Sequence, residues 1–91
     1  MEHYLAERYL AGRDGAGLAG DAARVRAAAE TVGRIRFVHT VYVPGDEVCF
    51  YLFESDSAEL VGAVGRLARI DLDRVLPAVA LVDDGTKEDE A

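Results

Sequence analysis

The chain has one cysteine, Cys49, two histidines, two prolines and a single lysine among its 91 residues. One thiol cannot close an internal disulfide, so the fold must rest on its core, as suits a reducing cytoplasm. The longest apolar runs are strand-sized, far short of the roughly 20 residues that span a bilayer. The start of the chain lacks the basic and then apolar pattern of a secretory signal, so the sequence predicts a cytoplasmic protein with no membrane partner. His3, His39 and Cys49 stand at no zinc-finger or i, i+4 spacing, which excludes a local zinc motif. No serine elbow, phosphate-cradling loop or dinucleotide fingerprint is present, and Gly12, Gly15, Gly17 and Gly20 lack the strand-to-helix spacing such loops require.

Positive charge is scarce as well. The formal charge is −7, and five acids, Asp83, Asp84, Glu88, Asp89 and Glu90, fall in the last nine residues beside Lys87. Without that segment the body holds nine arginines against twelve acids, a net of −3. A mildly acidic body with no basic stripe has no footprint for a phosphate backbone, so nucleic acid is a poor partner and metal cations suit it better.

What remains is enough for one domain over residues 1–82, followed by an acidic, solubilising tail over residues 83–91. Residues 3–10 read as a strand closed by glycine. Leu18, Ala22, Val25, Ala29 and Val32 then recur at helical spacing up to Gly33, which is placed to end the helix. Residues 35–43 and 47–54 read as two strands around Pro44-Gly45, the central pair of a type II turn. Ser55-Asp56-Ser57 offers caps for a helix with Leu60, Val61, Val64, Leu67 and Ala68 as its stripe. Residues 75–82 form a last strand, and Pro77 assigns it to a sheet edge. The order β-α-β-β-α-β predicts an α+β, ferredoxin-like sandwich with a four-stranded antiparallel sheet and two helices on one face. The other face is left to water, a ligand or a partner.

A turn loop of two or four residues sorts the hairpin into two sets by period-two alternation. Ile35, Phe37, His39, Val41 and Val43 with Val48, Phe50, Leu52 and Glu54 are apolar enough to be the helix-covered side. Arg36, Thr40, Tyr42, Cys49, Tyr51 and Phe53 then fall on the outer wall. His39 and Glu54 become polar groups on the core side, which requires a partner or a shifted pKa. Arg8 is an available partner for Glu54, and a structural ion pair is the plain reading. The functional one has Glu54, His39 and Glu7 line a pocket between sheet and helices. Cys49, facing away from His39, is a packed or interfacial thiol and no nucleophile. Met1-Glu2-His3 could supply a terminal amine, two amides and an imidazole to Ni(II) or Cu(II) in a square plane.

Glu7-Arg8-Tyr9-Leu10, the strand at residues 41–43 leading into Asp46-Glu47-x-Cys49-Phe50-x-Leu52-Phe53-Glu54, and Asp73-Arg74-Val75-Leu76-Pro77-Ala78-Val79 carry a resemblance over residues 3–82. The chain resembles a family of small actinobacterial-type domains of unknown function, with a member described as a dimeric nickel-binding protein of ferredoxin-like fold. The resemblance implies that fold, a homodimer and nickel in the cytoplasm, and it implies no reaction or organic cofactor. Nickel accepts imidazole and carboxylate, and that chemistry selects His3, His39, Glu7 and Glu54 as metal ligands, with dimerisation doubling the histidines at a shared site. The alternative function is a cofactor-free enzyme or small-molecule binder, similar to ferredoxin-like monooxygenases and cyclases, with His39 or Glu54 as acid or base and, in a shifted register, Tyr42 and Tyr51 orienting the substrate.

Overall fold

The computed structural model describes residues 1–12, 15–79 and 81. Strand β1 (Glu2–Tyr9) leads to helix α1 (Leu18–Val32), strand β2 (Ile35–Val43), a 3-10 turn (Pro44–Asp46), strand β3 (Val48–Ser55), helix α2 (Ala58–Ala68) and strand β4 (Arg74–Ala78). The strands form one antiparallel sheet in the order β2-β3-β1-β4, the ferredoxin-like α+β arrangement. β4 has only β1 as a neighbour, so Pro77 does sit on an edge. The acidic segment at 83–91 lies outside the described residues, as does the end of the last predicted strand.

Local chemistry accounts for the element ends. Gly33 closes α1 at a φ of 81°, a left-handed value that favours glycine, and its N–H donates to Ala29 O at 3.0 Å. Ser57 caps α2, its Oγ accepting from Leu60 N. The hairpin turn differs from the expected type II. Pro44–Asp46 make one 3-10 turn with Glu47 left-handed at φ 53°, and Val43 then pairs with Val48 across a four-residue loop. Glu47 also ties the turn to β1, its carbonyl accepting from Leu10 N at 2.8 Å.

The core lies between sheet and helices. α1 buries Asp21, Val25, Ala28 and Ala29, and α2 buries Val61, Val64, Gly65 and Ala68, while Leu67 of the predicted stripe is half exposed. From the sheet come Ala6, Phe37, Cys49, Tyr51 and Phe53, with Phe37 tilted against Tyr51 and Phe53 at centroid distances of 6.3 and 5.7 Å.

These residues reverse the expected sides of the hairpin. Cys49, Tyr51 and Phe53 face the helices with Thr40 and Tyr42, while Val48, Phe50, Leu52 and Glu54 face away with His39, Val41 and Val43. A β-bulge between Phe37 and His39 adds the residue that lets Ile35 and Phe37 join the core side as well. The reversal has a physical cause. Alternate positions of β3 are apolar on both faces, and burying Tyr51 rather than Phe50 gives its hydroxyl a partner in Arg8, 2.9 Å away.

Candidate functional site

Among the described residues no helix covers the other face of the sheet. Antiparallel register sets Arg36, Glu54, His3 and Ala78 in one row across β2-β3-β1-β4, His39, Leu52, Leu5 and Leu76 in the next, and Val41, Phe50, Glu7 and Arg74 in a third. The middle of this face is apolar and two of its corners are ionic.

At the first corner His3 Nε2 lies 3.2 Å from Glu54 Oε2, with side chains 26% and 28% exposed. Arg36 holds the other carboxylate oxygen, its Nε and Nη2 donating to Oε1 at 2.9 and 2.8 Å. Hydrogen bonding from Arg36, reinforced by the charges of Arg36 and His3, keeps the Glu54 carboxyl below the usual carboxylate range. At the opposite corner Arg74 Nε meets Glu7 Oε1 at 3.0 Å.

Of the four nominated metal ligands, the fold therefore joins His3 to Glu54 and leaves two apart. Glu7 shares their face, four residues along β1 from His3, but is engaged by Arg74. His39 is exposed on the β2 edge opposite Leu52. Neither His39 nor Glu54 faces the core, which corrects the expected placement and removes both from the space between sheet and helices. Arg8 is not the partner of Glu54 either, because it points to the other side of β1. Among the described residues no three His, Cys, Asp or Glu side chains gather as a metal cluster. The pair offers one imidazole and one carboxylate oxygen, a donor set nickel accepts but an incomplete one within one chain. The square-planar site at Met1-Glu2-His3 meets an obstacle too: Glu2 and His3 are paired in β1 against Ser55 and Ala78, and their amides could bind a metal only by leaving the ladder.

A second polar group lies beneath α1. Arg8 Nη1 donates to Asp21 Oδ2 at 2.8 Å and to the Tyr51 hydroxyl at 2.9 Å, and Arg24 Nη1 donates to Asp21 Oδ1 at 2.9 Å. Arg8 and Asp21 are 8% and 7% exposed. Burial works against both charges, yet their pairing outweighs it, raising the Arg8 pKa and lowering that of Asp21. Burial pushes Tyr51 up to about 12, with Arg8 opposing, and pushes the Cys49 thiol up as well. Neither is poised to ionise near neutrality, and Cys49 is buried on the face opposite His39. The one sequence signal for this network was an aspartate at position 21 on the apolar stripe, spaced from Leu18, Val25 and Ala28 as a core residue would be.

Among the described residues no helix is long and apolar enough to cross a membrane. No family model matches the chain, and no curated protein matches it. Among solved structures the chain is similar to SCO4226 from Streptomyces coelicolor A3(2), with a TM-score of 0.69 and 21% identity over 88% of this chain and 99% of that one. At that identity the likeness is one of fold.

Proposed function

We propose that this protein is a small cytoplasmic homodimeric domain that holds a divalent metal ion, nickel foremost, at the His3–Glu54 corner of its uncovered sheet face, without catalysis of its own. The carrying observation is the pairing of an imidazole and a carboxylate 3.2 Å apart at the margin of an apolar, helix-free surface. Two donors leave a nickel ion under-coordinated, and a twofold partner would bring a second imidazole and carboxylate to a shared site. Arg36 occupies one oxygen of Glu54, so ligation would use Oε2. The resemblance of residues 3–82 to a family with a nickel-binding member points the same way.

Nickel titration of metal-free protein, followed by calorimetry, tests the reading. Binding should be saturable, with about one ion per two chains, and His3→Ala and Glu54→Gln should each weaken it about tenfold or more, whereas His39→Ala should leave it unchanged. Absence of heat above the buffer blank, or binding indifferent to His3 and Glu54, would remove the proposal.

A further inference from the structure

The seam where α2 leans on the β4 edge forms a half-open hollow of about 280 Å³. Its floor is apolar: Ile70 is buried, and Leu72 and Val75 are half-buried. Two charged residues line it, Arg66 from the last turn of α2 and Asp71 from the segment that follows, both exposed. Among the described residues neither side chain forms an ion pair or hydrogen bond, although they border the same hollow with opposite charge.

The glycines of α2 bear on the same place. A glycine inside a helix weakens it relative to alanine, so each one calls for a reason. Gly65 has one in packing, because an added Cβ would stand 2.8 Å from Leu72 Cδ1 and 3.2 Å from Ile70 O. Gly62 has none of that kind. Among the described residues the one atom within 4 Å of an added Cβ is Arg66 Nη1, at 3.4 Å, an ordinary contact distance that places the guanidinium beside this turn of α2 at the mouth of the hollow.

We propose that this seam binds a small zwitterion with an apolar side chain, of the amino-acid class, its carboxylate on Arg66, its ammonium toward Asp71 and its side chain on Leu72 and Val75. A ligand of a single charge would gain from one of these groups and be repelled by the other. A zwitterion satisfies both at once, and a guanidinium matches a carboxylate in two parallel hydrogen bonds. The hollow falls just below the roughly 300 Å³ at which drug-sized ligand sites begin, which limits the occupant to a molecule about as large as leucine. This site is separate from the His3–Glu54 corner and stands or falls without it.

The test is a titration of the ¹⁵N-labelled full chain with L-leucine, N-acetyl-L-leucine and L-leucinamide, following the amides of Gly62, Gly65, Asp71 and Leu72. Leucine should shift them saturably, and the two blocked forms, each lacking one charge, should bind about fivefold more weakly or worse. Arg66→Gln and Asp71→Asn, both at exposed positions that the fold does not depend on, should each weaken leucine by a similar factor. No saturable shift at these amides, or blocked forms that bind as well as leucine, would overturn the proposal.

Discussion

Thr40 faces the helices opposite Tyr51, and its Oγ1 is buried with no hydrogen-bond partner among the described residues. A buried hydroxyl left unpaired costs about 1–3 kcal/mol, and valine has nearly the same shape without it. Thr40→Val should therefore stabilise the protein by about 1 kcal/mol in urea melts; a loss of stability would mean the hydroxyl is satisfied in solution. Asp21 presents the opposite case. Removing one member of a buried pair costs about 3–5 kcal/mol, because the other charge is left uncompensated, and Asp21→Ala would leave Arg8 in that position. The carboxyl of Asp21 is held below its ordinary value, so its ionised form favours the folded state. That contribution is complete above the unfolded carboxylate pKa of about 4 and fades as pH falls through the lower folded value. The stability gap between the natural chain and Asp21→Ala should narrow below about pH 4, and a gap constant from pH 7 to pH 3 would contradict the assignment.

At the scale of elements, α2 and β4 meet through Gly65. Its Ile70 amide contact, N to Gly65 O at 2.9 Å, fixes the chain reversal that brings Leu72 over the helix. Gly65→Ala gains helix propensity but drives a methyl against Leu72 and the Ile70 carbonyl, and overpacking of this kind costs about 1–3 kcal/mol. A net loss of stability in thermal melts is the expected outcome, with part of it restored when Leu72→Ala is added; a more stable single variant would show the seam to be loose. The elements themselves were legible in the sequence because composition and terminators agreed: helical spacing from Leu18 to Val32 with Gly33 after it, and runs rich in β-branched and aromatic residues on either side of Pro44-Gly45. The side of the hairpin was not. Residues 48–53 are apolar at every position, so period two has no contrast to read, and the bulge after Phe37 is invisible to alternation. What decides the side is a long-range match, Tyr51 with Arg8, 43 residues apart. The same limit shaped the candidate site. His3 was selected by its chemistry, but its union with Glu54 depends on β1 pairing with β3 across the whole chain, and the claim of Arg36 on Glu54 follows from that register.

For the whole molecule, the uncovered sheet face leaves a group of apolar side chains partly in water. Leu5, Leu52, Phe50 and Leu76 are only half-buried there and Val41 is 47% exposed, whereas the polar groups other than His39, on the β2 edge, are gathered into two intrachain ion-paired corners. An apolar centre with a polar rim is the anatomy of an interface, and the second copy proposed above would match this surface by symmetry. Four strands about 4.8 Å apart and eight residues of about 3.3 Å span roughly 500 Å² in projection, and side-chain relief brings the accessible area near the ~800 Å² per partner of a standard interface. Self-association through this face should place the natural chain at twice 9.8 kDa in sedimentation equilibrium. Leu52→Asp puts a charge at the apolar centre without entering the core, so it should yield a folded monomer with unchanged far-ultraviolet dichroism. Because the metal site is proposed to need donors from both copies, that monomer should also lose nickel affinity although His3 and Glu54 are intact. A natural chain that sediments at 9.8 kDa would remove the dimer, and a Leu52→Asp dimer would place its contact elsewhere and leave the face to another occupant.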